Sequence, residues 1–352
     1  MERLNKWLGS IGGLDEKAME EATRHQDQLT KPRGSLGRLE ELACHIAGIT
    51  GEVHPDVGKK RIVLFAADHG VAREGVSAYP REVTAQMVLN FLNGGAAINS
   101  ISRAVGAQVE VVDIGVDADF PEDQGLVERK ISRGTANIAK GPAMSIEQAI
   151  SAIAVGVERA EDAVQDDVKL LGTGDMGIGN TTPSSALYAT LLNRPAAEVT
   201  GRGTGVDDEG LARKVQVVER ALSVNRDRLT SPLSILAALG GFEIAGLCGL
   251  VISAAQNRVP VVIDGFISSV AALVAIHLKP EIQHYCIFGH LSQEQGHRLF
   301  FKEIGERPLI DLDLRLGEGT GAALAMSIIH AAIETHNGMA TFESAGVSGK
   351  EE

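Results

Sequence analysis

Short apolar runs alternate with amphipathic helical segments through the middle of the chain. Most of the runs are continuously apolar, which is typical of strands that helices cover on both faces. Strands that alternate with helices in this way predict a parallel α/β sheet. The predicted strands are Arg61 to Ala66, Val109 to Ile114, Val168 to Leu171, Val259 to Ile263 and His284 to Phe288.

Capping residues mark where two of the helices between these strands begin. Ser145 and Gln148 have the spacing of a capping box, in front of an apolar segment that extends to Ala163. Ser231 is followed by Pro232, a combination that favours the cap and first turn of a helix.

Helical spacing also dominates both ends of the chain. Asp15 and Ser35 are expected to cap two helices near the start, and a helix rich in Ala, Ile and Leu is expected from about Gly319 to His336. We therefore expect the two ends, residues 1–55 and 319–352, to form a small helical domain. Residues 56–318 would form the larger α/β domain.

Composition and charge exclude several classes of function. Hydrophobic residues make up 44% of the 352 and charged residues 22%, values typical of a soluble globular protein. The net charge of −13 argues against binding to nucleic acid, which needs clustered Lys and Arg. The chain shows no signal peptide and no apolar run long enough for a membrane span. Three cysteines without a CxxC pair suit reduced thiols, so we expect a cytoplasmic protein.

Glycine is the compositional outlier, with 40 of 352 residues, and much of it is clustered. The run from Gly172 to Gly179 directly follows a predicted strand, where open parallel sheets bind their ligands. Glycine there would let backbone amides approach an anion, or would simply make a tight turn. A second cluster, Gly201 to Gly205, precedes a helix that carries Lys214. It could hold a phosphate, but on its own the pattern favours a plain loop with a solvated lysine.

A third cluster surrounds a single acidic residue. Glu318 lies between Gly317 and Gly319 at the predicted start of the terminal helix. An unshielded carboxylate at this position is either a proton acceptor for a ligand or an acid that stabilises the helix dipole.

Other known motifs give weaker signals. Gly172, Gly174 and Gly177 form a literal GxGxxG, which keeps a nicotinamide-dependent oxidoreductase open as an alternative. The acidic residue that such a site needs could only be Glu198, which does not end a clear strand. No Walker A, GxSxG or HExxH motif occurs, and the histidines and cysteines show no ligand spacing, so no metal is expected. A nucleotide-binding module without catalysis is a third possibility.

Seven longer segments match the motifs of one family in order. They are LTKPRGSLGRLEELA (Leu29 to Ala43), AADHGVAREGVSAYPREVTAQM (Ala66 to Met87), GTGDMGIGNTTPSSA (Gly172 to Ala186), GRGTGVDD (Gly201 to Asp208), PVVIDGFISS (Pro260 to Ser269), GHLSQEQGH (Gly289 to His297) and LDLRLGEGTGAALA (Leu312 to Ala325). On these residues the chain resembles nicotinate-nucleotide–dimethylbenzimidazole phosphoribosyltransferases of cobalamin synthesis.

The resemblance implies a fold, an assembly and a reaction. The fold would be a Rossmann-like parallel sheet flanked by helices, with a smaller helical domain from both ends of the chain, in a homodimer. The substrates would be nicotinate mononucleotide and 5,6-dimethylbenzimidazole, and the products α-ribazole 5′-phosphate and nicotinate. No cofactor is implied, and a donor without pyrophosphate gives a magnesium ion no evident task. The general base of the family corresponds to Glu318, which decides between the two interpretations of that residue.

The resemblance also assigns binding residues. Those expected to bind the nucleotide are Asp175, Gly177, Ile178, Gly179, Asn180, Gly203, Thr204, Gly205 and Lys214. Those expected around the benzimidazole are Tyr79, Gln86, Met176 and Leu316. Asp175 departs from the family, which more often has Glu at this position. Its side chain is one methylene shorter, which puts any ligand contact from this residue in question.

Overall fold

Six parallel strands form one sheet in the computed structural model, which describes residues 1–122 and 125–348. Their order in the sheet is β3-β2-β1-β4-β5-β6. The strands are β1 (Lys60–Ala67), β2 (Ala107–Gly115), β3 (Leu126–Glu128), β4 (Leu170–Met176), β5 (Val261–Ile263) and β6 (Cys286–Phe288). This confirms the predicted α/β class. It also adds β3, which is too short to give a sequence signal.

The strand order reverses direction between β1 and β4. Chain connections therefore leave these neighbouring strands toward opposite sides, which opens a crevice at the carboxyl ends of the strands. Ligand sites of doubly wound sheets lie in this crevice, so the topology itself indicates where to look for the site.

Helices cover both faces of the sheet. They are α1 (Glu2–Gly9), α2 (Glu16–Gln26), α3 (Arg38–Thr50), α4 (Val83–Leu92), α5 (Ala97–Val105), α6 (Ile146–Gln165), α7 (Thr181–Leu191), α8 (Ala196–Val199), α9 (Asp208–Val224), α10 (Pro232–Leu239), α11 (Phe242–Gln256), α12 (Phe266–Leu278), α13 (Gln295–Ile304), α14 (Thr320–Gly338) and α15 (Phe342–Ala345). Three short 3-10 helices add Gly70–Glu74, Arg226–Arg228 and Pro280–Tyr285. None of the helices in the described ranges combines the length and hydropathy needed to cross a bilayer.

The central strand β1 is continuously apolar from Ile62 to Ala67, after the charged Lys60 and Arg61 at its start, and all of its residues are buried. Val63 and Phe65 belong to the core cluster that includes α6 and α11, whereas Ile62 and Leu64 belong to the cluster that includes α3 and α14. Successive side chains point to opposite faces of a strand, so the centre of a strand that helices cover on both faces is apolar at successive positions.

The predicted caps are confirmed with one exception. Ser145 and Gln148 form the capping box of α6, and Asp15 accepts a hydrogen bond from the main-chain N–H of Ala18 at 2.9 Å. Ser35 does not cap α3, which begins at Arg38. No side chain caps α3, and the carboxylate of Glu40 instead accepts hydrogen bonds from the main-chain N–H groups of Gly34 and Leu36 in the turn before the helix.

Helices from the two ends of the chain meet on one face of the sheet, although α1 packs against α11 in the core cluster of the other face. Helices α3 and α14 pack against each other, and α14 also packs against β4 and β5. The division into residues 1–55 plus 319–352 and residues 56–318 stays a prediction, and residues 349–352 of it lie outside the described part of the chain.

Candidate active site

A cavity of about 590 Å³ lies at the carboxyl ends of β4, β5 and β6, where the reversal of strand order places it. Most of the residues predicted to bind substrates line it. These are Tyr79, Asp175, Met176, Gly177, Ile178, Gly179, Asn180, Gly203, Thr204, Leu316 and Glu318. The structure therefore brings together three glycine clusters that are far apart in sequence.

The first glycine cluster is partly strand, in contrast to the prediction that the strand ends at Leu171. Strand β4 continues to Met176, so Gly172 and Gly174 lie inside the sheet. A Cβ on Gly174 would lie 2.8 Å from the carbonyl oxygen of Glu318, too close for any side chain. Because these glycines have no side chain, the start of α14 can pack directly against the sheet. They do not form the turn of a dinucleotide fingerprint, which removes the structural basis of the oxidoreductase alternative.

The remainder of this cluster forms a fixed turn into α7. The side chain of Asn180 donates a hydrogen bond to Asp175 Oδ2 at 3.0 Å, and the N–H of Ile178 donates to Thr84 Oγ1 at 3.1 Å. Gly179 has a φ of 89°, a conformation that favours glycine. Helix α7 begins directly after Asn180, so the positive end of its dipole lies at the cavity and favours an anion there.

Lys214 connects the first two glycine clusters from behind the cavity wall. Its fully buried ammonium donates hydrogen bonds to Thr181 Oγ1 at 2.7 Å and to the carbonyl oxygen of Gly201 at 3.0 Å. Burial lowers the pKa of Lys214 to about 8, although the nearby carboxylate of Glu294 acts in the opposite direction. The lysine thus supplies positive charge to the wall without being solvated.

The backbone around Glu318 is held in an uncommon conformation. Gly317, Glu318 and Gly319 have φ values of 85°, 64° and 90°. Such a value in a residue other than glycine costs free energy and is characteristic of functional sites. The two glycines remove the strain at the neighbouring positions, so that only Glu318 carries it.

The Glu318 side chain is directed toward the start of α5. Its Oε2 accepts a hydrogen bond from the N–H of Ile98 at 3.3 Å, and its side chain is largely buried at the cavity wall. Burial raises the pKa of Glu318 above its ordinary value, and the bond from Ile98 opposes that effect. The helix N-terminus therefore supports the ionised form of an otherwise desolvated carboxylate.

Asp264 fixes the segment that follows Glu318. Its two carboxylate oxygens accept hydrogen bonds from the N–H of Gly319 at 3.2 Å and of Ala322 at 2.9 Å. These are main-chain groups of the α14 start, which lack partners within the helix. Asp264 follows β5 in the chain, so strand β5 holds the position of Glu318 through this carboxylate.

Asp175 is the most strongly perturbed of the cavity acids. Burial raises its pKa well above the ordinary value, and the negative charges of Asp264 and Glu243 act in the same direction. The Asn180 bond opposes this only in part. Burial and the neighbouring negative charges therefore favour the protonated form of Asp175.

Three predicted residues do not line the cavity. Gln86 is exposed on α4, where its neighbour Met87 faces the cavity instead. Gly205 is exposed beside the second cluster, and Lys214 lies behind the wall. Tyr79 and Leu316 do reach the cavity, and both are more than half exposed at its mouth.

Several lining residues were not singled out from the sequence. They follow β5 and β6 or precede Glu318, and include Gly265, Phe266, His290, Ser292, Glu294 and Arg315. The rule that ligands bind beyond the carboxyl ends of parallel strands would have identified the first five. Arg315 is an exposed cation at the edge of the cavity, and its guanidinium lies 3.8 Å from where a Cβ on Gly205 would be.

Known proteins with a similar sequence or structure agree in one family. A family model described as phosphoribosyltransferase matches residues 11–347. A nicotinate-nucleotide–dimethylbenzimidazole phosphoribosyltransferase from Chlorobaculum tepidum is 56% identical over 349 residues, 99% of each chain. One of the same name from Chloroflexus aggregans is 56% identical over 352 residues, the full length of both. The crystal structure of CobT from Thermus thermophilus has a TM-score of 0.91 at 48% identity, covering 94% of this chain and 99% of that chain.

Proposed function

The chain belongs to the nicotinate-nucleotide–dimethylbenzimidazole phosphoribosyltransferase family, and we propose that it carries out that transfer. The phosphoribosyl group of nicotinate mononucleotide moves to 5,6-dimethylbenzimidazole, giving α-ribazole 5′-phosphate and nicotinate. The observation that carries this proposal is the position of Glu318. Its ionisable carboxylate lies at the wall of a cavity that also contains two glycine turns suited to a nucleotide phosphate.

The reaction forms one bond to the anomeric carbon and breaks another. A benzimidazole nitrogen attacks the carbon with its lone pair, and the bond from the carbon to the pyridinium nitrogen of nicotinate breaks. The electron pair of the broken bond stays on that nitrogen and neutralises the pyridinium ring. The leaving group therefore needs no proton. Attack from the opposite face inverts the configuration from β to α.

Glu318 is the general base of this mechanism. Alkylation makes the benzimidazole cationic, and its remaining N–H becomes acidic. The Glu318 carboxylate accepts that proton and, before doing so, stabilises the positive charge that develops on ribose and base. One ionised carboxylate is sufficient, unlike glycoside hydrolysis, which needs a pair.

A neutral Asp175 fits this mechanism. If it were ionised, it would compete with Glu318 for the same proton and would itself be costly to bury. In its protonated form it can donate a hydrogen bond to the nucleotide while Glu318 acts as the base. The shorter side chain, compared with Glu in most of the family, suits this binding role close to Asn180.

The phosphate of the nucleotide is expected at the two glycine turns. Gly203 and Thr204 face the N-terminus of α7, and Lys214 supplies charge behind them. Arg315 adds an exposed cation at the edge. Glu294 Oε2 is buried beside this region without a hydrogen-bond partner in the described part of the chain, and a ribose hydroxyl is a suitable donor for it.

The remaining nucleotide-site assignments, Gly177 to Asn180 and Gly205, belong to the same proposal. The benzimidazole would lie against Met176 and Leu316 beside Glu318, with Tyr79 at the mouth. Gln86 could take part only if its side chain turned inward, since it is exposed here. A homodimer in the cytoplasm completes the proposal. The three cysteines are free thiols, as a reducing compartment requires.

The direct test is turnover of the two substrates. Purified protein is incubated with nicotinate mononucleotide and 5,6-dimethylbenzimidazole, and products are separated by chromatography and identified by mass and anomeric configuration. We expect equal amounts of nicotinate and α-ribazole 5′-phosphate. A folded protein that binds both substrates without forming product would support a binding module instead. A panel of other azoles and purines would define base preference.

A further inference from the structure

Three histidines from distant parts of the chain meet outside the cavity. His25 lies in the last turn of α2, His54 in the loop between α3 and β1, and His336 in the last turn of α14. One ring nitrogen of each lies within 4.8 Å of those of the other two. None of the three lines the active-site cavity, so the transfer reaction does not account for them.

The spacing of the three rings suits a common metal ligand sphere. Their centroids lie 4.6 Å apart for His25 and His54, 4.8 Å for His25 and His336, and 5.5 Å for His54 and His336. A tetrahedral zinc ion bound by imidazole nitrogens at about 2.0–2.1 Å places the ring centroids about 5 Å apart. The spacing of the rings is therefore that of ligands around one ion, although the ring nitrogens, which lie within 4.8 Å of one another, must move closer together to share it.

Hydrogen bonds fix the tautomers of two of the rings. His25 Nε2 lies 2.8 Å from the carbonyl oxygen of His336, and His336 Nε2 lies 2.8 Å from that of Val53. A carbonyl oxygen only accepts, so both Nε2 atoms carry hydrogen and both Nδ1 atoms carry a lone pair. Donation of the second N–H to a carbonyl is the arrangement that orients histidine ligands of metals.

The buried side chain of Gln26 is the second indication of a ligand. Its Nε2 lies 2.8 Å from His336 Nδ1, and its Oε1 has no hydrogen-bond partner in the described part of the chain. Gln26 is only 4% exposed, so an unpaired oxygen there is costly. A half-turn of the amide would replace the bond from Nε2 to His336 Nδ1 and direct Oε1 toward that nitrogen, so that one cation could bind both atoms.

The local charges permit a cation. The neighbouring Lys31 is a competing positive charge. Its ammonium forms a 2.8 Å ion pair with Glu40, which offsets that charge.

We propose that His25, His54 and His336, together with the Gln26 carboxamide, bind a divalent transition metal of the zinc class. Imidazole ligands suit zinc, copper and nickel, whereas magnesium and calcium prefer oxygen. The ion would join α2 and the α3–β1 loop to the end of α14, and so stabilise the packing of the two chain ends. Sequence spacing did not predict this site because its ligands are far apart in the chain.

The test uses full-length protein without a histidine tag, stripped with a chelator and titrated with zinc chloride by calorimetry. We expect one equivalent to bind with micromolar or tighter affinity and to raise the Tm. His54→Ala removes an exposed ligand with little risk to folding, and we expect it to weaken binding at least tenfold and abolish the rise in Tm. His330→Ala, on α14 like His336 but outside the cluster, is the control and should behave like the wild type.

A spectroscopic readout separates a metal site from packing among histidines. Co²⁺ should give the visible absorption of a tetrahedral site in the wild type and in His330→Ala, but not in His54→Ala or His25→Ala. Zinc binding that is equal in wild type and His54→Ala, several weak equivalents only, or no binding at micromolar zinc would each overturn the proposal. All of these measurements are independent of transferase activity.

Discussion

The main-chain N–H of Glu318 donates a hydrogen bond to the carbonyl oxygen of Asp175 at 3.2 Å. This bond joins the end of β4 to the start of α14. It therefore places the two acids of the cavity at a fixed separation, although they are far apart in sequence. The pKa values of both carboxyl groups are raised by burial, but only Glu318 accepts a main-chain hydrogen bond from a helix N-terminus that favours its ionised form.

Gly174→Ala should impair catalysis more than Gly172→Ala, a matched change in the same strand. The added Cβ at position 174 would lie 2.8 Å from the backbone oxygen of Glu318, so the base itself must move. At position 172 the closest atom, at 2.7 Å, is the mobile end of Met326. We expect kcat to fall about tenfold to a hundredfold for Gly174→Ala and about twofold or less for Gly172→Ala. Equal kcat values for the two variants would show that this close approach does not position Glu318.

The pH dependence of kcat should reflect the raised pKa of Glu318. The base must be ionised to accept a proton, and burial raises its pKa above the ordinary 4.5. Activity at saturating substrate should therefore fall, as the pH is lowered, through a midpoint that lies above 4.5. Stopped assays across a series of overlapping buffers measure the acidic side of this pH–rate profile. A midpoint at or below 4.5 would contradict the environment described for Glu318.

Asp175→Asn should become increasingly more stable than the wild type as the pH rises. Burial raises the pKa of Asp175 in the folded state, so the folded protein retains a proton that the unfolded chain releases near pH 4. Between the pKa of Asp175 in the unfolded chain and its raised pKa in the folded protein, each pH unit lowers the free energy of unfolding of the wild type by about 1.4 kcal/mol. The variant lacks this contribution. Urea unfolding from about pH 5 to about pH 8 would measure the difference in the free energy of unfolding between the variant and the wild type. A difference that does not change with pH would contradict the prediction.

Lys214→Met should weaken use of the nucleotide selectively. Lys214 lies behind the cavity wall and bonds to Thr181 and to the carbonyl of Gly201, so its loss would loosen both glycine turns and remove their positive charge. A charged hydrogen bond contributes about 1.5–3 kcal/mol, so we expect the KM for nicotinate mononucleotide to rise about tenfold or more. The KM for dimethylbenzimidazole should change little, and the exposed Lys302→Met should behave like the wild type. In the wild type, the KM for the nucleotide should also rise above pH 8, because the pKa of Lys214 is about 8. The same pH dependence in Lys214→Met would exclude this lysine as its source.

The sequence predicted the strands whose burial requires continuous apolar residues. It placed β1, β2, β5 and β6 near their observed positions, but ended β4 too early. The residues from Gly172 to Met176 contain little apolar surface. Glycine is needed here because the backbone of Glu318 and the side chains of α14 pack closely against this part of the strand. Such a strand has no hydrophobic pattern to detect.

The sequence singled out most of the predicted site residues that the fold brings to one cavity, but it did not give their geometry. From the residues alone, Glu318 was equally consistent with a base and with a helix-dipole acid, and the family resemblance decided between them. The hydrogen bonds from Ile98 and to Asp175, and the support from Asp264, join residues that the fold alone brings together. No local pattern encodes these contacts.

The value of kcat for Glu318→Gln, measured beside the wild type with both substrates saturating, tests the central claim most directly. Glutamine preserves the size of the side chain and can still accept the bond from Ile98, but it cannot take a proton from the benzimidazole. We predict that kcat falls by about a hundredfold to ten-thousandfold while Tm and the nucleotide KM stay close to wild type. A folded Glu318→Gln variant with wild-type kcat would contradict the assignment of Glu318 as the base.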